Sequence, residues 1–399
     1  MRRSRWYAVG AGVAALAMTA AIVVPSTSGA ASSKSPKIPK LSYKSFNLSF
    51  TVMKELRPLA KAGHGKIAAI LPTTTTSTRY VEFDAPYLKR SMKLAGLKSS
   101  TIIVQNALGS TSGELSDAET DITKGATVLL MDPITSGTGA AIEAYANNHG
   151  VPVVDYDRIT LGGSRKYYVS FTNVHVGKLI GQGLVSCITA WHVKTPHVIV
   201  MHGAATDNNA TLFAKGYDSV IDRYFKSGKW KDVANTADTW TPPVALSEFE
   251  AAFTAHPTAN AALFPNDETG APIITFLKSK GIKPDTFPTT GQDATLTGLH
   301  NVLSGYQCGT VYKPIFLEAQ AAVALAMYLR DGKTPPHSLV NAKLEDPTEH
   351  IKVTSILLTP EWVTTKNMKT TIVKDKFVPV KTLCAGTYAT ECKAAGITP

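Results

Sequence analysis

Five short polar clusters stand immediately after apolar, strand-like runs. They are Asp155-Tyr156-Asp157-Arg158, Thr206-Asp207-Asn208-Asn209-Ala210, Pro265-Asn266-Asp267, Gly291-Gln292-Asp293 and Tyr312-Lys313-Pro314. Their chemistry is that of recognition. Carboxylates accept hydrogen bonds, Arg and Lys donate them, and carboxamides do both. Open α/β sheets bind ligands in the crevice beyond the carboxyl ends of their strands. Such groups on a rim, with Tyr80, Tyr156 and Trp240 as ring faces, suit a hydroxyl-rich ligand whose C–H faces need an aromatic surface. A pyranose fits that description.

The candidate binding residues are Arg79, Tyr80, Asp157, Arg158, Asn173, Asn208, Trp240, Asn266, Asp293 and Lys313. Several have a plainer alternative. Asn208 and Asp267 precede helices and could cap them. Asp155 is read as satisfying turn amides. Asp157 and Arg158 could form an internal ion pair, Trp240 could pack the Thr241-Pro242-Pro243 loop, and Lys313 could be a surface lysine. No catalytic residue, metal ligand or cofactor site is expected. The chain has no HExxH, GxSxG, Walker or dinucleotide motif and no DxDxDG-like calcium loop. His175, His202 and His256 are scattered without ligand spacing. A glycoside hydrolase would need two carboxylates about 5–9 Å apart across the scissile bond. Asp157 and Asp293 could supply that pair, but hydroxyl binding explains them more simply.

The elements that must carry these clusters alternate. Apolar runs at 66–71, 101–105, 127–131 and 151–155 alternate with helical patterns at 85–95, 114–124 and 139–148. The alternation restarts after 167–171. Helices are expected at 174–190, 208–225, 244–255, 268–280, 295–303 and 314–330, and strands at 197–201, 261–264, 289–291 and 307–312. Continuous Val/Ile/Leu runs flanked by helices predict parallel sheets covered on both faces. Two such halves predict two doubly wound lobes facing across a cleft. Crossings between lobes are expected at Asn173, within Gln307–Lys313 and within Leu344–Val353. The expected division is 64–172 plus about 308–344 for the first lobe, and 173–307 plus about 345–399 for the second.

The first 30 residues read as an export signal: Arg2, Arg3 and Arg5, then an apolar run from Tyr7 to Pro25, then Ser28-Gly29-Ala30 before Ala31. No lipobox cysteine follows. Residues 31–63, with Lys34, Lys37, Lys40, Lys44, Pro36 and Pro39, are expected to form a flexible linker. The net charge of +11 comes without clustered Arg/Lys interleaved with aromatics, so no nucleic-acid partner is expected. Export permits disulfides. Of the four cysteines, Cys384 and Cys392 are expected to form a local bridge, whereas Cys187 and Cys308 are left open as a pair or as buried thiols.

At these residues the chain resembles the xylose- and ribose-type periplasmic sugar-binding proteins of bacterial ABC importers. The strings that carry the resemblance are Thr78-Arg79-Tyr80, Asp155-Tyr156-Asp157-Arg158 and Val169-Ser170-Phe171-Thr172-Asn173. Asp207-Asn208-Asn209-Ala210, Asn266-Asp267, Gly291-Gln292-Asp293 and Val311-Tyr312-Lys313-Pro314 follow in family order. The resemblance implies a type I periplasmic-binding fold: α/β, two doubly wound parallel-sheet lobes and a three-stranded hinge. It implies a monosaccharide in the cleft, lined by the ten candidates above, with delivery to an ABC permease. A monomer in the periplasm or at the cell surface is expected. The other implied role is a sensor that presents its closed form to a membrane receptor. The loop Pro72-Thr73-Thr74-Thr75-Thr76-Ser77 departs from the family, in which the xylose-type proteins carry charged residues there.

Overall fold

The computed structural model describes residues 39–236 and 238–398; the export signal expected over residues 1–30 lies outside them. The chain builds α1 (Arg57–Ala62), β1 (Lys66–Leu71), α2 (Ala85–Leu94), β2 (Ile102–Asn106), α3 (Thr111–Thr123), β3 (Ala126–Met131), α4 (Ser136–Asn148), β4 (Val153–Tyr156) and β5 (Tyr167–Phe171). A second series follows: α5 (Asn173–Ala190), β6 (His197–Met201), α6 (Asn208–Lys226), β7 (Lys231–Thr236), α7 (Pro242–Ala255), β8 (Ala261–Leu263), α8 (Asp267–Ser279), α9 (Leu296–Leu303) and β9 (Thr310–Tyr312). The chain ends with α10 (Ile315–Arg330), β10 (Ala342–Asp346), β11 (Ile351–Leu358), β12 (Glu361–Val363), α11 (Val380–Leu383) and α12 (Ala389–Ala394).

The first sheet runs β10-β11-β5-β4-β3-β1-β2 and is parallel except for β10. Its central run has the 2-1-3-4-5 order of a doubly wound sheet, with the switch point between β1 and β3. The second sheet, β7-β6-β8, repeats the 2-1-3 order, and β9 pairs with β12 beside it. Strands such as Lys66–Leu71 are apolar on both faces because helices cover both, so five of its six residues are buried.

Four differences from the sequence expectations have physical causes. First, residues 39–62 are not a flexible linker. Leu41, Phe46, Phe50, Met53, Leu56 and Leu59 are buried in the core. The arm packs against α10, which is buried almost all round and so needs cover on the side away from the sheet. Gln320 Nε2 donates to the Asn47 carbonyl at 2.9 Å, Ser338 Oγ to that of Leu41 at 2.7 Å, and Tyr328 OH to that of Pro39. Second, β9 belongs to the second lobe and β11 to the first. The chain therefore crosses at residues 172, 313–314 and 359–360, and the expected third crossing within 344–353 is corrected. The lobe bounds at 308 and 344–345 move with it. The β10–β11 hairpin is the cause: β11 extends the first sheet through Ser355–Leu358 against Tyr168–Phe171. Third, 289–291 forms no regular strand. Pro288 has no N–H, and the Thr290 hydroxyl takes the bond from the Phe264 N–H at 2.9 Å. Fourth, β7, β10, β11 and β12 had no sequence expectation as strands; β7 is largely exposed and polar.

Two disulfides are present. Cys187–Cys308 ties the end of α5 to the segment before β9, across a sequence separation of 121, and Cys384–Cys392 closes a separation of 8. Among the described residues, no helix is long and apolar enough to cross a membrane.

The docked arm makes a direct prediction. Met53→Ala removes a fully buried side chain and should cost about 2–5 kcal/mol of stability, read from denaturant unfolding. A change of a few tenths would return the arm to the status of a linker.

Candidate functional site

The carboxyl ends of β1, β4, β6, β8 and β9 open onto one cleft. Its wall is formed by Thr76, Ser77, Arg79, Tyr80, Asp157, Arg158, Asp207, Asn209, Phe213, Trp240, Asn266, Gln292, Asp293 and Lys313. Both lobes contribute. The cleft is narrow: only about 20 Å³ of it admits the centre of a water molecule. Direct bonds already cross it. Ser77 Oγ donates to Asp293 Oδ2 at 3.3 Å, the Thr78 N–H to Glu268 Oε1 at 2.9 Å, and Arg158 Nε lies 3.1 Å from Asp207 Oδ2.

Arg79 stands ahead of a π-helical turn, Tyr80–Asp84, that feeds α2. It is only 1% exposed and meets three carboxylates, each at 2.8 Å: Asp84, Asp157 and Glu318. Burial opposes its charge, but Asp157, Asp84 and Glu318 together hold its pKa well above the usual value. Asp157 sits at φ 60, in the left-handed region that Asp tolerates better than most residues. Its carbonyl accepts from Ser170 Oγ at 2.7 Å, Tyr168 OH at 3.0 Å and Asn209 Nδ2 at 3.0 Å. Burial pushes the Asp157 carboxyl up, but Arg79, Lys313 and Arg158 outweigh it and hold it below the ordinary carboxylate range. Asp293, on the opposite lobe, also has positive φ, at 91. Lys313 lies between the two, with Nζ 2.9 Å from Asp293 Oδ1 and 3.9 Å from Asp157 Oδ1.

Three cations, Arg79, Arg158 and Lys313, thus face six carboxylates: Asp84, Asp132, Asp157, Asp207, Asp293 and Glu318. Burial raises the pKa of Asp84, Asp132 and Glu318 despite the neighbouring arginines. Asp132 has no hydrogen-bond partner on either oxygen among the described residues; Arg158 Nε stands 3.6 Å away.

The sequence candidates divide as follows. Arg79, Tyr80, Asp157, Arg158, Trp240, Asn266, Asp293 and Lys313 line the cleft. Tyr80 lies between guanidiniums, its ring centroid 5.4 Å from Arg79 and 5.9 Å from Arg158, and its hydroxyl accepts from Arg158 at 3.2 Å. Trp240 donates to Asp207 Oδ2 at 3.0 Å, and its ring lies over Gly203, where any Cβ would collide with it. Asn266 caps α8, with Oδ1 accepting from the Thr269 N–H at 3.0 Å, and still reaches the cleft.

Asn173 and Asn208 do not line the cleft. Asn173 is buried beneath it, donating to Asn209 Oδ1 at 2.7 Å and Tyr168 OH at 3.1 Å. The cap of α6 is Asp207, which accepts from the Asn209 N–H at 2.9 Å. With the cap at Asp207, the helix turns Asn209 inward, and Asn208 is left half-buried off the wall. Asp207, Asn209, Phe213, Gln292, Thr76 and Ser77 were missed as candidates. The Asp-Asn-Asn string pointed to the right turn, but only the helix phase selects the residue. Asp155 accepts from the Thr160 N–H at 2.6 Å and stays out of the cleft. Asp267 is also a support: it accepts from Gln307 Nε2 at 2.8 Å, the Thr295 N–H at 2.9 Å and Thr310 Oγ1 at 3.0 Å.

The periplasmic binding protein domain pattern matches residues 67–334. The chain belongs to the periplasmic binding protein family. It is 34% identical over 289 residues to the D-xylose-binding periplasmic protein of Escherichia coli K12, covering 72% of this chain and 84% of that one. It is 28% identical over 333 residues to the multiple sugar-binding periplasmic receptor ChvE of Rhizobium radiobacter, covering 79% and 92%. An ABC transporter solute-binding protein from Clostridium phytofermentans, solved with bound β-D-glucose, superposes with a TM-score of 0.71 at 23% identity, covering 79% of this chain and 99% of that one. The fold is therefore the two-lobed α/β fold of this family.

Buried acids give the family member a pH signature. Burial raises Glu114, whose oxygens accept from the Ile134 N–H, to about 8. Burial likewise raises Asp267 to about 8 against its donors. An acid whose pKa is raised by folding keeps its proton in the native state after the unfolded chain has lost it. Its stabilisation is complete below the ordinary carboxylate range and is lost as pH rises to about 8. The melting temperature should fall between about pH 5 and about pH 8.5, and Glu114→Gln should flatten part of that slope. An identical fall in both proteins would remove Glu114 from the account.

Proposed function

We propose that this protein is an extracytoplasmic solute-binding protein that captures a monosaccharide in the cleft and delivers it to an ABC permease. The observation that carries the reading is the convergence of Asp157, Arg158, Asn209, Asp293 and Lys313 from strand ends of both lobes, with Trp240 and Tyr80 between them. Each strand end presents a charged or amide group, so a ring of hydroxyls can both donate and accept around its edge. The names of the relatives support the same ligand class. Xylose-like pentoses and hexoses are the substrates to test.

Capture works by exchange. The cleft bonds Ser77–Asp293 and Arg158–Asp207 hold the lobes together directly. A sugar that inserts replaces them with bonds from each lobe to its own hydroxyls, so the ligand becomes the bridge. The closed form is then populated according to ligand affinity, and closure about the three crossings signals occupancy to a membrane partner. The protein acts as a monomer after export to the periplasm or cell surface.

Hydrolysis is disfavoured by the charge pattern. A glycosidase needs one of its carboxyl groups protonated as an acid. Asp157 is held below the ordinary range by Arg79, Lys313 and Arg158, against the opposing effect of burial, and Asp293 is paired with the same lysine.

Isothermal titration with D-xylose and D-glucose tests the reading. At least one should bind, and Asp293→Ala or Asn209→Ala should weaken it by about 10- to 100-fold, the loss of one charge-assisted or buried hydrogen bond of about 1.5–3 kcal/mol. Asn208→Ala should change affinity less than about twofold, because Asn208 lies off the wall. Absence of binding by any pentose or hexose would overturn the ligand class. Equal losses in the Asn208 and Asn209 variants would overturn the assignment of the wall.

A further inference from the structure

Residues 1–38 hold five Lys or Arg and no acid, so of the net charge of +11, residues 39–399 carry +6. That surplus is not spread over the surface. The arm with α1 (49–62) and α2 with its exit (85–98) together hold seven Lys or Arg and one acid, Glu55, which is again +6. The remainder of the chain from residue 39 is neutral on balance.

The two segments lie side by side. The Phe50 and Tyr87 rings are 5.6 Å apart. The Arg90 guanidinium stands 4.1 Å over the Phe50 ring, and its Nη2 donates to the Ser49 carbonyl at 3.4 Å. Further along both segments, a Cβ on Gly96 would stand 3.1 Å from the Arg57 side chain. Lys54, Arg57 and Lys61 follow helical spacing on one segment, and Lys89 and Lys93 are four apart on the other. These five, with Arg90 and Lys98, are exposed. None has an ion-pair partner among the described residues. A surface built only for solubility mixes both signs; like charges gathered on one face repel one another and create a one-signed field.

We propose that this face docks on the anionic headgroups of a lipid bilayer. Clusters of about four to eight Lys or Arg bind such surfaces, each strengthening binding about fivefold when it lies within a Debye length, ~10 Å at 0.1 M salt. A protein partner would need an apolar anchor, and lysine is depleted at protein interfaces. The exposed large apolar residues, Val81, Leu108, Val244 and Ile351, all lie outside the two segments. Headgroups need charge alone. The placement also leaves the cleft free. None of the seven basic residues lines it. Lys61 and Lys98 stand shortly before β1 and β2, at the strand ends opposite those that carry the cleft. The inference does not rest on the sugar reading.

Co-sedimentation of the mature protein with vesicles tests it, using phosphatidylcholine alone and phosphatidylcholine with about a third phosphatidylglycerol, at about 0.1 M salt. The protein should bind the anionic vesicles, with an affinity that falls as salt rises, and leave the neutral ones. The triple variant Lys54→Gln, Lys89→Gln, Lys93→Gln should raise the Kd at least about tenfold. A control triple with the same charge change on exposed lysines after β12, Lys366→Gln, Lys369→Gln, Lys374→Gln, should raise it less than about threefold, because those charges lie outside the docked face. Unchanged melting temperatures check that both are folded; the pair Lys61→Gln, Lys98→Gln carries the test if the first triple is not. Equal losses in the two triples would make net charge, not this face, the cause and overturn the proposal. Equal binding to neutral vesicles would overturn the electrostatic basis. Absence of vesicle binding would overturn the bilayer outright, and binding to soluble polyphosphate in that case would assign the face to an anionic polymer instead.

Discussion

The guanidinium of Arg79 is the fixed point of the cleft. A buried cation is tolerable only when it is paired and hydrogen-bonded, and Arg79 satisfies that condition by drawing in one carboxylate from each of three elements. Asp84 comes from the turn before α2, Asp157 from the end of β4 and Glu318 from α10. Removing any one partner would leave charge uncompensated in a dry interior. The first-lobe half of the site is therefore a rigid unit: Asp157 cannot move without breaking its bond to Arg79. That rigidity makes its carbonyl a reliable anchor for Ser170, Tyr168 and Asn209, which together join the first lobe to the start of α6.

The second lobe solves the same problem with a carboxylate at the centre instead of a cation. Asp267 is surrounded by donors from Thr295, Gln307 and Thr310. Gly291 and Gly298 lie so close that a Cβ on either would collide with it. This network fixes the segments that present Asn266, Gln292 and Asp293 to the cleft. The two lobes thus meet as two preorganised surfaces. The groups between them, above all Lys313 and Arg158, make the bonds that can be exchanged. Both cleft carboxylates on the seam, Asp157 and Asp293, hold left-handed backbone conformations. Strain of this kind is kept at sites where the aim of a side chain matters more than local stability.

The docked arm shows how a local reading and a tertiary demand can disagree. Lysines and prolines in 31–63 speak for a linker, and nothing in the segment has helical or strand periodicity. The contrary signal lies elsewhere, in α10. Ile315–Arg330 has no polar face, and a helix without one must be covered on every side. The sheet covers one side, and Leu41, Phe46, Phe50 and Met53 cover the other. The hint was in the sequence, but in the helix that needed a partner rather than in the segment that became one.

The sequence by itself determined the alternating α/β order, the strand ends that carry the site and eight of the fourteen residues on its wall. These features are local: an apolar run followed by a polar turn is legible wherever it occurs, because burial on both faces dictates composition strand by strand. Only the tertiary structure decided which neighbour in a polar turn faces the ligand. Asn209 rather than Asn208 is set by where α6 begins, and one residue of helix rotates a side chain by about 100°. The tertiary structure also decided that Asn173 supports the wall instead of forming it, that β11 joins the first sheet, and that Cys187 meets Cys308 across a separation of 121. Each of these depends on which distant segments pack together, and no local pattern of apolar and polar residues encodes that choice.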